Sequence, residues 1–127
     1  MPLPRSPKIP PMPLTPAVFH ILLALAEGDR HGYDIMRLVD DVTEGRLKLG
    51  PGTLYGTIKR MLRDRLIVEA GDRPDPALDD ARRRYYRLTD AGRAALGAEL
   101  YRLNKLVTFA RRRGFLNARV SSREEAT

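Results

Sequence analysis

The sequence predicts a mainly α fold of the winged helix-turn-helix type, and three observations carry that expectation. Three short segments between Thr15 and Arg63 repeat apolar residues at helical spacing. Two short runs rich in β-branched or aromatic residues, Leu66–Ala70 and Arg83–Thr89, follow with a polar connection between them. A last segment, residues 90–114, carries a long apolar seam. Three helices, a two-stranded β-wing and a long C-terminal helix, in that order, describe a winged helix-turn-helix with an added dimerisation helix.

Thr15 caps the first helix, Pro16 occupies its first position and Gly28 terminates it. Val18, Phe19, Ile21, Leu22, Leu23 and Leu25 make it apolar around most of its circumference, as a central buried helix is. The second helix begins near His31-Gly32-Tyr33 and runs to about Val42, with Ile35, Leu38, Val39 and Val42 as its buried face. The third opens at Gly50-Pro51-Gly52. Leu54, Ile58, Met61 and Leu62 turn inward there, while Thr53, Tyr55, Thr57, Lys59, Arg60 and Arg63 point outward.

In the hairpin, Tyr86 and Leu88 share one face and Tyr85 and Arg87 the other, with Tyr86 the core candidate. The connection, residues 71–82, holds two prolines and a run of acids. Thr89 caps the last helix and Asp90 suits its positive end. Leu96, Leu100, Leu103, Val107 and Ala110 follow at steps of 4, 3, 4 and 3, widened by Ala95, Leu106 and Phe109. The rest of the fold already encloses a core, so this seam is expected to pack on a second copy; folding back onto its own domain is the alternative. Residues 1–13 contain six prolines and read as an extended arm, and residues 115–127 as a frayed tail.

The chain has 127 residues, enough for one modest core, and a net charge of +7. Residues 69–81 carry −4 and leave +11 on the remainder, so the basic character lies in the helices, in Arg82, Arg83 and Arg84, and in Arg111, Arg112 and Arg113. That balance fits a polyanionic partner. There is no cysteine, consistent with a reducing cytoplasm, and no long apolar run for a membrane span or signal. His20 and His31 are the two histidines and no group has metal-ligand spacing, so neither metal nor cofactor is expected. No nucleophile–base pair or phosphate-binding glycine loop suggests an enzyme.

In this architecture the third helix enters the major groove and the wing holds backbone phosphates. Gly52, Thr53, Tyr55, Thr57, Lys59 and Arg63 are the candidate DNA contacts on that helix, Lys59 one turn after Tyr55. Tyr33, at a helix start that suits an anion, and Arg82, Arg83 and Arg84 of the wing complete the set. His31 is assigned to turn packing. The competing class is a winged helix that binds a protein or a ligand without specific DNA recognition.

Leu14-Thr15-Pro16-Ala17, Leu22-Leu23-Ala24-Leu25, Glu27-Gly28, His31-Gly32-Tyr33-Asp34-Ile35, Gly52-Thr53-Leu54-Tyr55, Lys59-Arg60, Leu66-Ile67 and Arg84-Tyr85-Tyr86-Arg87-Leu88-Thr89-Asp90-Ala91-Gly92 together resemble the PadR family of transcriptional regulators. With one C-terminal helix, the chain resembles its short-chain type. The resemblance implies a homodimeric repressor whose C-terminal helices pair across a two-fold axis. It also implies a palindromic operator on double-stranded DNA, with half-sites about 34–36 Å apart or a multiple of it. Small-molecule effectors of such proteins, phenolic acids and planar drug-like compounds among them, bind near the dimer interface. This chain has no tryptophan for a stacking platform there, which leaves Tyr101 and Phe109 as candidates. Gly50 stands where the family often has Ser or Asn, and the acidic wing loop is a second departure.

Overall fold

Packing, rather than capping, holds the first helix. In the computed structural model, which describes residues 13–74 and 82–116, α1 spans only Pro16–Ala24. Nine residues are too few to stay helical alone. Thr15 accepts a hydrogen bond from the Val18 N–H at 3.3 Å, a cap worth about 1 kcal/mol. Ile21, Leu22 and Leu25 are each essentially buried, and burial of such a side chain contributes about 1.5–3 kcal/mol. The helix contacts α2 (Gly32–Val42), α3 (Pro51–Arg63) and α4 (Asp90–Arg112), as a central helix must. It ends before the glycine expected to stop it: the chain turns through Leu25 and Ala26, and Gly28 follows at φ +153°.

α2 buries Ile35 and Val39, but Val42, the last helical residue, is 54% exposed. The connection to α3 supplies Leu47 and Leu49 to the core instead. α3 buries Leu54, Ile58 and Met61 at the spacing read from the sequence. Leu66, Ile67, Tyr86, Leu88, Ala95 and Leu96 close the core from the other side.

Among the described residues the sheet has three strands, not two. β1 (Arg30–His31) pairs antiparallel with β3 (Arg82–Leu88), which pairs with β2 (Ile67–Pro74), giving the order β1-β3-β2. Arg30 lies opposite Tyr86 and His31 opposite Tyr85. β2 runs past Ala70, where the sequence placed its end, by means of a bulge. Glu69 faces Tyr86 and Asp72 faces Arg84, so Ala70 and Gly71 share one step, with Gly71 at φ +94°. The predicted connection is therefore partly strand, and Asp75, Asp79 and Asp80 lie outside the described residues.

Thr89 anchors the start of α4. Its hydroxyl accepts from the Gly92 N–H at 3.0 Å and donates to the Arg65 carbonyl at 2.6 Å, and its N–H donates to the Leu66 carbonyl at 3.1 Å. α4 stops at Arg112, two residues before the predicted limit. The proline-rich arm and the tail fall mostly outside the described residues.

Candidate nucleic-acid interface

α3 presents a mixed face. Pro51 takes its first position and Gly50 caps it without a side chain. Gly52, Thr53, Tyr55 and Lys59 lie on exposed turns, and so does Arg63, whose Nε faces Asp64 at 3.4 Å. Thr57 does not: it is 1% exposed, which corrects its assignment as a DNA contact. Its hydroxyl donates to the Thr53 carbonyl at 2.7 Å, so the helix backbone satisfies the polar atom and the side chain enters the core. The same oxygen accepts from Arg60 Nη2 at 3.2 Å, which fixes Arg60 above it.

Tyr55 packs against the start of α2. A Cβ added at Gly32 would lie 2.5 Å from Tyr55 Oη and 2.8 Å from its Cζ, so the glycine makes room for the ring. Half of Tyr55 stays exposed. Gly32→Ala is expected to expel the ring at a cost of about 1–2 kcal/mol. The check is thermal denaturation together with the nuclear Overhauser contact between the ring and residue 32. A retained contact at wild-type stability would mean that the ring is not seated there.

His31 is the N-cap of α2, its Nδ1 accepting from the Asp34 N–H at 3.1 Å. Its ring stacks near Tyr33, centroids 6.5 Å apart, and meets Tyr85 edge-on at 5.2 Å. Tyr33 is 47% exposed, with the Arg37 and Arg83 guanidiniums 5.8 and 5.2 Å from its ring centre. Arg84 faces Glu69 at 3.4 Å and Asp72 at 3.8 Å. The acids of β2 pair with it on an exposed surface, where such pairs are weak. Of Arg82, only its strand position opposite Pro74 is described.

A cleft of about 380 Å³ joins these elements. His31, Gly32 and Tyr55 form one wall, and Asp72, Arg83 and Arg84 the other. Tyr86 also lines it, its hydroxyl pushed above the usual phenol range chiefly by burial. The structure thus gathers Tyr55, Arg83 and Arg84 at one opening and leaves Thr53, Lys59 and Arg63 on the helix surface.

A sequence profile of the transcriptional regulator PadR-like family matches residues 21–98, more than half of the chain. The chain belongs to the PadR-like family. The transcriptional regulator Rv3488 of Mycobacterium tuberculosis is 36% identical over 87 residues, covering 68% of this chain and 75% of that protein. An uncharacterised 37.1 kDa protein of a Streptomyces fradiae transposon is 36% identical over 86 residues, but this chain spans only 22% of its length. Among solved structures, a PadR family regulator from Clostridium difficile superposes with a TM-score of 0.61 at 24% identity, covering 76% of this chain and 95% of its own. Bacillus subtilis PadR in complex with operator DNA gives 0.57 at 22% identity, covering 65% and 45%. These likenesses show the winged-helix fold, and the family is one of transcriptional regulators rather than enzymes.

The remaining expectations for this PadR-like chain concern α4. Its first half packs on its own domain through Ala91, Ala95 and Leu96, so Leu96, 6% exposed, leaves the predicted dimer seam and joins the core. From Leu100 onward the seam is open. Leu100, Leu106 and Phe109 are 41–56% exposed, and Leu103, Val107 and Ala110 are half-buried. The two candidate effector residues, Tyr101 and Phe109, are exposed and two turns apart, Tyr101 under Lys105 and Phe109 under Arg113. No helix among the described residues is long and apolar enough to cross a membrane.

Two acids escaped the sequence reading. Glu99, 2% exposed, accepts hydrogen bonds from the Leu14 N–H and from Arg102. The bond from Leu14 is the main reason its carboxyl titrates below its ordinary value. Asp29 accepts from Arg87 Nε and Nη2, both at 2.8 Å, and from Arg73 Nη2 at 2.6 Å. Those bonds, Arg87's first, hold its carboxyl well below the usual range against the opposing effect of burial. Asp29 meets both partners, and Glu99 meets Leu14, tens of residues away, where no local spacing marks the pair; only Arg102, three residues after Glu99, lies at helical spacing.

Proposed function

We propose that this PadR-like chain is a homodimeric repressor that binds a palindromic operator and is released by a small-molecule effector. One observation carries the reading: the exposed hydroxyl and basic face of α3 opens beside a cleft lined by Arg83 and Arg84. Thr53, Tyr55 and Lys59 read bases or adjoining phosphates in the major groove, while Tyr33, the start of α2 and the wing arginines hold the backbone. The B. subtilis relative solved on operator DNA supports the mode of binding. The open half of α4, from Leu100 to Ala110, pairs with a second copy. Tyr101 and Phe109 flank that pairing and take a planar effector. A cytoplasmic location belongs to this reading.

Selection of bound duplexes from random sequence, followed by salt titration, tests it. A palindromic site is expected, with affinity falling steeply as salt rises. Failure to enrich any site would favour a winged helix used for protein or ligand binding. Lys59→Ala is then expected to weaken the selected site by about 1–3 kcal/mol while sparing non-cognate DNA. Equal weakening on both would make Lys59 a phosphate contact only.

A further inference from the structure

We infer that Asp29 is the positioning residue that fixes the wing against the start of α2, so that the two meet the DNA backbone as one surface; this rests on the DNA-binding reading above. Asp29 immediately precedes β1, and its neighbours immobilise it. Arg30 donates from Nε to the Ala24 carbonyl at 2.7 Å, at the end of α1, and from Nη1 to Asp34 at 3.1 Å, in the first turn of α2. His31 caps α2. From that base the Asp29 carboxylate holds both strands of the wing, through Arg87 on β3 and Arg73 on β2.

Arg73 matters because of where it lies. It follows the bulge at Ala70 and Gly71, in the outer part of β2, where the register has already shifted by one residue. A bulge bends its strand and increases its twist, so the course of the outer wing is not set by the inner ladder alone. The bond from Arg73 to Asp29 ties that outer part back to the helical body. Its guanidinium also lies 4.1 Å from the centre of the Tyr85 ring, which meets His31 edge-on. A continuous line of contacts therefore runs from Asp29 through the outer wing to the cap of α2.

The chemistry suits a fixed mount rather than a neutralising pair. The Asp29 side chain is 16% exposed, and charge-assisted bonds in such partly shielded sites are stronger and geometrically stricter than open surface pairs. One carboxylate against two guanidiniums leaves a single positive charge on that trio. The carboxylate's depressed titration keeps the mount charged in acid that would protonate an ordinary aspartate.

Asp29→Asn tests this with two readouts. In the free protein, amide exchange in the outer wing, at residues 72, 73, 83 and 84, should accelerate about tenfold once the charge-assisted hydrogen bonds are weakened. Exchange in α3 and α4 should not change. On the duplex recovered by selection, phosphate-ethylation interference at the positions flanking each half-site should disappear, while interference within the α3 footprint remains. The salt dependence should become shallower by about one unit of slope for each phosphate that the wing no longer neutralises. Asp29→Glu, which keeps the charge, should restore most of the flanking signal.

An unchanged footprint and exchange pattern would overturn the inference, and so would a uniform loss across the whole site, which marks a general fold defect. If the wild-type protein binds the duplex but shows no flanking interference, the wing's hold on the backbone fails and this inference with it. Should Asp29→Asn not fold, Arg73→Gln removes the outer bond alone. Acceleration confined to the outer wing in that variant supports the inference, and wild-type exchange overturns it.

Discussion

Gly92→Ala is expected to destabilise the fold by roughly 3 kcal/mol, at the upper end of overpacking costs, and to lower the melting temperature by roughly 10 °C or more. A Cβ at this position would sit inside the contact radius of the Leu66 carbonyl oxygen, 3.1 Å from its carbon and 3.4 Å from Leu88 Cδ2. The obstacle is backbone, so no side-chain rotation relieves it. That carbonyl also accepts the Thr89 N–H, and the Gly92 N–H completes the cap of α4. Shifting either group loosens the joint between the wing and the long helix. Gly97→Ala in the same helix supplies the control. Nothing lies within 4 Å of its added Cβ, so alanine there should stabilise by about 0.5–1 kcal/mol. Thermal or denaturant unfolding of the pair reads opposite signs; equal signs would show that α4 does not approach Leu66 this closely.

The second large effect falls on assembly. Leu106→Glu is expected to convert a dimer to monomers in analytical ultracentrifugation and to weaken operator binding by roughly two orders of magnitude or more, since each monomer then contributes one half-site alone. Leu106 is 54% exposed on the single chain, so a charge there costs the monomer little and monomer stability should change by less than about 0.5 kcal/mol. A variant that remains dimeric would place the interface elsewhere on the surface. A loss of stability in the monomer itself would mean that the outer half of α4 folds back in solution.

Helix periodicity made much of the fold legible. Leu54, Ile58 and Met61 announce the buried face of α3, and Pro16 and Thr89 mark where α1 and α4 begin. Periodicity fails where a polar atom is satisfied locally. Thr57 counts as polar in any pattern, yet its hydroxyl bonds its own helix and the residue is buried. It also cannot say whose core a face joins, and so Leu96 and Leu100 look alike in sequence although one is buried at home and the other is open. β1 is two residues long and exists as a strand only because β3 lies beside it. Asp29 depends on Arg73 and Arg87, the burial of Glu99 on the Leu14 N–H, and Gly92 on a carbonyl approaching from another element. None of these leaves a local trace. For the interface, the residue types on α3 were readable from the chain, while the gathering of Tyr55, Arg83 and Arg84 around one cleft needed the fold.

The acids beside Arg84 have a kinetic consequence. A regulator that finds its operator by sliding and hopping spends most of its search on DNA of the wrong sequence, held there by charge alone. In the DNA-binding reading, Glu69 and Asp72, which pair with Arg84, compete with those phosphates for its guanidinium. On non-cognate DNA, where the wing is not seated, the internal partners win more often and the residence is shortened. At an operator, an α3 seated as proposed would hold the wing close enough for phosphate to displace them. In the DNA-binding reading, the pairing shortens the time spent at each wrong site and leaves the correct stop intact, so the wing sets how fast the target is reached as well as how firmly it is held.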